Sequence, residues 1–163
     1  MITTNIKTSS SRDLSNSKEM EKKMDKTKVA FICMHHSCTS QIAEALGEKF
    51  GGDVFESYLA GTEKRLSPNP DAVRLMKELY NINLEANEES RLLKDLPPVD
   101  IVVKMDCDNS YPNLPGEFMI DLRLEDPAGK SNDEFKCFIF GIEQFIKNLA
   151  VEIKKNHVSS ILQ

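Results

Sequence analysis

Lys28-Val29-Ala30-Phe31-Ile32-Cys33-Met34-His35-His36-Ser37-Cys38-Thr39-Ser40-Gln41-Ile42-Ala43-Glu44 is the stretch that decides the fold. Its opening run, Lys28 to Ile32, reads as a buried strand. Residues Gln41 to Phe50 read as a helix. Cys33 stands where the strand ends, and a short polar loop joins it to the helix. The first backbone N–H groups of a helix lack intrahelical partners, and its dipole favours negative charge there. A cysteine so placed is favoured as a thiolate and faces a cradle for phosphate-like anions. Cys33 is therefore the candidate nucleophile. Met34, His35, His36, Ser37, Cys38, Thr39 and Ser40 are the candidate oxyanion-binding residues. Ser40 suits either a hydrogen bond to the Cys33 thiolate or the helix N-cap, and the two roles are compatible. The alternative for Cys33 is a structural core thiol.

Outward from this stretch, strands and helices alternate. Phe55 to Ala60 is a second strand, Ile101-Val102-Val103 the centre of a third at 100–105, and Phe118 to Leu124 a fourth. Asn69-Pro70 predicts a helix start, with Asn as cap and Pro in the first turn; Val73, Met76 and Leu79/Tyr80 supply its apolar positions. Glu88 to Leu96 is expected to be a short helix stopped by Pro97-Pro98. Ser131 with Glu134 predicts a capping box. Behind it Phe135, Phe138, Ile139, Ile142, Phe145, Ile146, Leu149 and Ile153 trace one helical stripe. The fold class that follows is α/β: one domain with a four-stranded parallel sheet and helices on both faces. Sites in such sheets lie at the carboxyl ends of the strands. Cys33, Cys107 and Asp126 each follow a strand, so they are expected to converge on one edge.

Asp126, in Asp126-Pro127-Ala128-Gly129-Lys130, is the candidate general acid beside a nucleophilic cysteine; Asp-Pro is also a common turn dipeptide. Cys107 lies in a polar loop after a strand, either placed to attack a Cys33 adduct or incidental. On the last helix Cys137 and Phe140 fall opposite the apolar stripe and are expected on the surface. His35 and His36 with Cys33 and Cys38 match no standard zinc spacing, so no metal site is assigned.

The 163 residues suffice for one core. Residues 1–27 are rich in Ser, Thr, Asn and Lys and are expected to form a disordered tail, with Met20 and Met24 as alternative starts. The domain is placed at 28–157 and a C-terminal tail at 158–163. A formal net charge of −5 argues against nucleic-acid and anionic-membrane partners. The longest apolar run falls short of the roughly 20 residues of a membrane span. No secretory core is present at the start, and four cysteines suit a reducing cytoplasm.

Taken together, Ser37-Cys38, Ser40-Gln41-Ile42-Ala43-Glu44, Ala60-Gly61-Thr62-Glu63, Asn69-Pro70-Asp71-Ala72-Val73, Val102-Val103 with Met105 and Cys107, and Asp126-Pro127-Ala128-Gly129-Lys130-Ser131 resemble the thioredoxin-coupled arsenate reductases. These share the fold of low-molecular-weight protein tyrosine phosphatases. The resemblance runs from about residue 28 to 149. It implies Cys33 as nucleophile, Ser40 as its thiolate partner, Asp126 as acid and Cys107 as second thiol. It also implies an arsenate- or phosphate-type oxyanion as ligand, and thioredoxin or another external thiol as reductant, with no bound cofactor. Phosphomonoester hydrolysis and non-catalytic oxyanion or protein binding are the alternatives. Five positions depart from the family pattern. Its loop arginine is Thr39, its loop asparagine His36 and its resolving cysteine Tyr111, while the Trp and Gly before the acid turn are Leu122 and Arg123. Arg123 is the candidate to compensate for the missing guanidinium, against a plain solvated strand-end arginine.

Overall fold

The computed structural model describes residues 26–33, 39–61, 68–86, 91–106 and 116–155. Five parallel strands make one sheet: β1 (Thr27–Cys33), β2 (Phe55–Gly61), β3 (Arg91–Leu92), β4 (Ile101–Lys104) and β5 (Phe118–Asp121), in the order β3-β2-β1-β4-β5. Three helices accompany them: α1 (Thr39–Gly51), α2 (Pro70–Tyr80) and α3 (Asn132–Lys154). The chain steps from β1 outward to β2 and β3, then returns to the other side of β1 for β4. That reversal puts a topological switch point between the carboxyl ends of β1 and β4. Cys33 is the last residue of β1.

Alternation along β1 divides the core. Val29, Phe31 and Cys33 join Val103, Met105 and the buried residues of all three helices in the main cluster. Ala30, Ile32, Ala60, Val99 and Val102 form the smaller cluster on the other face, covered by Tyr58, Leu93 and Leu96. The second face therefore carries the 3-10 turn Leu93–Asp95 and the segment after it, rather than a long helix, among the described residues.

The predicted helix over 88–96 is corrected by the structure. Arg91 and Leu92 extend the sheet as a two-residue fifth strand on the Ala60–Gly61 edge, and Leu93–Asp95 is the 3-10 turn; Glu88 to Ser90 lie outside the described residues. Leu93 and Leu96 pack on the smaller cluster and Pro97-Pro98 follow at once, which leaves no length for an α-helix. β5 stops at Asp121 rather than Leu124, because Arg123 adopts φ 51°. α1 begins at Thr39, two residues before the expected start, so Ser40 lies inside the first turn and is not the N-cap.

The caps form as the sequence predicts. Asn69 Oδ1 accepts from the Asp71 and Ala72 N–H groups ahead of α2. Glu134 N–H donates to Ser131 Oγ, and Ser131 N–H donates back to Glu134 Oε1, closing the box that starts α3. Phe135, Ile139, Ile142, Ile146 and Leu149 of the predicted stripe are buried. Gly47 lets α1 approach the sheet closely: a Cβ there would meet Ser57 Oγ and lie 3.3 Å from the Phe31 and Phe55 rings.

α1, α2 and α3 are joined at one end by a polar cluster. Tyr80 Oη donates to Glu143 Oε1 at 2.6 Å, and Lys147 Nζ lies 2.7 Å from Glu143 Oε2 and 4.7 Å from the Phe50 ring centre. Hydrogen bonds from Lys147 and then Tyr80 hold the Glu143 carboxyl below its ordinary range. Burial, followed by the Glu143 acceptor, pushes the Tyr80 phenol up. A depressed carboxylate contributes stability above its unfolded pKa and loses it as pH falls through the folded value. Glu143→Gln is thus expected to lower the melting temperature at neutral pH. The gap to wild type should close on acidification below about pH 4, as thermal melts at both pH values would show.

Candidate active site at the end of the central strand

Cys33 is 3% exposed and lies in register with Gly61 on β2. The facing side is made by α1. Ile42, Ala43 and Leu46 are fully buried and turn toward the sheet. Thr39 precedes Ile42 and Ala43 by three and four residues, so helical geometry puts it on the same face, at the carboxyl edge of β1. Its side chain meets the thiol: Cys33 Sγ and Thr39 Oγ1 are 3.1 Å apart in a buried hydrogen bond. Ser40, Gln41 and Glu44 are buried alongside. Thus the first two turns of α1, normally a solvated place for polar residues, are enclosed. Met34, His35, His36, Ser37 and Cys38 lie outside the described residues.

Past β4, Met105 N–H donates to Ile32 O at 3.0 Å, so the strand end is tied directly to β1. Leu122 N–H donates to Lys104 O at 2.9 Å and Leu124 N–H to Met105 O at 2.8 Å. These two bonds carry the chain beyond β5 along the carboxyl edge. The left-handed Arg123 between them turns it out of the ladder. Asp126 follows, exposed, with Oδ1 accepting from Ala128 N–H at 3.0 Å. Pro127 is buried and anchors the turn, and Gly129 at φ 85° supplies the left-handed residue before the Ser131 cap. The chain leading to Asp126 therefore runs along the carboxyl edge of the sheet, the edge at which β1 ends in Cys33. Cys107 and Tyr111 lie outside the described residues. Cys137 is exposed and Phe140 is 44% exposed, both on the outer side of α3 as expected.

Arg123 has a carboxylate partner: Nη1 lies 3.4 Å from Asp121 Oδ2. Lys104 Nζ approaches the same oxygen at 3.4 Å from a side chain only 9% exposed. Register puts Lys104 beside Ile32, on the sheet face opposite Cys33. This buried lysine escaped the sequence reading. Its signal was a charge closing the otherwise apolar run Ile101-Val102-Val103, with an aspartate closing the neighbouring strand. With its guanidinium at Asp121, Arg123 is expected to contribute little to the oxyanion. Arg123→Ala should leave phosphate affinity within about twofold in titration calorimetry, as for most exposed pairs; a tenfold loss would reassign it to the site.

Among the described residues no group of three or more His, Cys, Asp or Glu is arranged to hold a metal ion, and no helix is long and apolar enough to cross a membrane.

With this geometry in place, the likenesses are specific. The sequence profile of the low molecular weight phosphotyrosine protein phosphatases matches residues 28–159. An arsenate reductase of Staphylococcus xylosus is 39% identical over 130 residues, which is 77% of this chain and 97% of that protein. Among solved structures, an arsenate reductase in the phosphate binding state superposes with a TM-score of 0.66 at 27% identity, over 78% of this chain and 98% of that one. The thioredoxin-dependent arsenate reductase of Corynebacterium glutamicum superposes with a TM-score of 0.61 at 25% identity, over 80% of this chain and 63% of that one.

Proposed function

The chain belongs to the low molecular weight phosphotyrosine protein phosphatase family, and on that premise we propose that it is an oxyanion-directed thiol enzyme of the arsenate reductase kind. The observation that carries this is the Cys33 thiol at the carboxyl end of the central strand, buried against the first residue of α1. In this reading the domain at 28–157 binds arsenate or phosphate in the loop 34–40. Cys33 attacks the central atom, Asp126 protonates the departing oxygen, and Cys107 takes the arsenic-bearing sulfur into a disulfide. Arsenic then leaves as arsenite, and the two electrons come from the two thiols. An external thiol, of the thioredoxin class or smaller, restores the pair. A cytoplasmic location goes with that reducing supply.

A second reading has one sequence observation in its favour. Hydrolysis of a phosphomonoester needs Cys33 and Asp126 but no relay, and this chain has Tyr111 where the relay's third cysteine is expected. The two readings part in one experiment. Purified protein is given arsenate with a thiol reductant and, separately, an aryl phosphate. Arsenite formation is the expected result. Phosphate release without arsenite would establish the hydrolase reading, and neither product would leave a non-catalytic oxyanion- or protein-binding descendant.

A further inference from the structure

The geometry points to Thr39 as a positioning residue for the Cys33 thiolate, filling with a neutral donor the place where the family carries a guanidinium. The inference rests on Cys33 being the nucleophile, and it concerns how this particular chain ionises it. Three observations support it. The Cys33 Sγ to Thr39 Oγ1 distance of 3.1 Å is well inside hydrogen-bond range for sulfur. Both residues are withdrawn from water, at 3% and 1% exposure. Thr39 is also the first residue of α1, where the helix phase set by Ile42, Ala43 and Leu46 aims it at the end of β1.

The chemistry follows from the state of the sulfur. While Cys33 is a thiol, either atom can donate. Once it is a thiolate it can only accept, so the Thr39 hydroxyl must donate to it. The bond then becomes charge-assisted, and such bonds are roughly twice as strong as neutral ones. In a dry site the electrostatic gain is not screened by water. Burial alone opposes ionisation of a thiol. The hydroxyl and the N-terminal end of α1 work against that opposition. Ser40 lies about 100° further round the helix, so it is not on the sheet-facing line through Thr39 and Ala43.

The test measures Cys33 alkylation rate against pH, read by mass spectrometry on the intact chain, in wild type, Thr39→Val and Thr39→Ser. Valine keeps the shape and removes the donor; serine returns the donor without the methyl. The midpoint for Cys33 is expected to rise by about one pH unit in the valine variant, given the usual strength of hydrogen bonds to charged groups, and to return most of the way with serine. A packing role alone would leave the midpoint in place. If Thr39→Val fails to fold, Thr39→Ala paired with Thr39→Ser gives the same comparison. An unchanged midpoint without the hydroxyl, or serine no better than valine, overturns the inference while leaving Cys33 reactive. A wild-type Cys33 that is not alkylated at all would instead count against the nucleophile reading beneath it.

Discussion

Replacing Thr39 by arginine is expected to raise the rate of the first step at Cys33 by about tenfold to a thousandfold. Thr39 is the first residue of α1, a position that accepts arginine at little cost in helix propensity. The chain leading to Asp126 already runs along the edge at which β1 ends in Cys33. Thr39 stands where the family resemblance leads one to expect the loop arginine, the fixed cation for the oxyanion. A preorganised charged donor supplies roughly 1.5–4 kcal/mol of transition-state stabilisation, and about 1.4 kcal/mol is one decade in rate. The guanidinium also replaces, as a full charge, the stabilisation that the Thr39 hydroxyl gives the thiolate. Single-turnover arsenate reduction and aryl-phosphate hydrolysis should both be followed, since either chemistry uses the same first step. A folded variant with no gain in either would mean that the loop is remodelled beyond Thr39, with His36 the next residue to restore.

A block at the end of the relay is the second large effect. In the proposed relay Tyr111 stands where the resolving cysteine is expected, so a Cys33–Cys107 disulfide formed by one arsenate is expected to find no thiol at that position to pass it on. Turnover with thioredoxin alone is expected to stop after about one arsenite per chain. A small thiol that reaches the bridge directly should relieve the block, because exchange depends on access of the attacking thiolate. Tyr111→Cys should restore multiple turnover, and trapping the oxidised wild type should show the Cys33–Cys107 bridge. Sustained turnover with thioredoxin, equally fast in Cys107→Ser, would refute this account of the relay.

Much of the scaffold was legible because local rules and tertiary demands agree there. From Val29 to Cys33 β1 is an unbroken apolar run because both its faces are buried there. Asn69-Pro70 and Ser131 with Glu134 are complete local signals for helix starts, needing nothing from the rest of the chain. The α3 stripe was legible because large residues repeat at helical spacing over the whole element. In α2 the inward face is Ala72, Leu75 and Met76, with Val73, Leu79 and Tyr80 only partly covered. A small alanine at the contact gave no signal against its bulkier neighbours.

The misreadings arose where long-range structure overrides local preference. Arg91–Leu92 becomes strand because β2 presents a free edge, which no local pattern announces. Arg123 ends β5 in a left-handed conformation that arginine does not advertise. At the site, Thr39 was legible only as the absence of arginine. Its contact with Cys33 depends on the helix starting two residues early and on its phase against the sheet. Ile42, Ala43 and Leu46 already encode that phase, and carrying it back one turn to Thr39 finds the contact.

The most direct measurement is competitive alkylation of the reduced protein at pH 6 to 7, with each cysteine followed by mass spectrometry, in the absence and presence of phosphate. Cys137 is the internal reference, an exposed thiol on the outer side of α3. An ionised nucleophile at the strand end predicts that Cys33 is labelled before Cys137 despite its burial, and that phosphate slows Cys33 alone. Labelling of Cys137 first, with Cys33 indifferent to phosphate, would contradict the claim that Cys33 is an oxyanion-directed nucleophile.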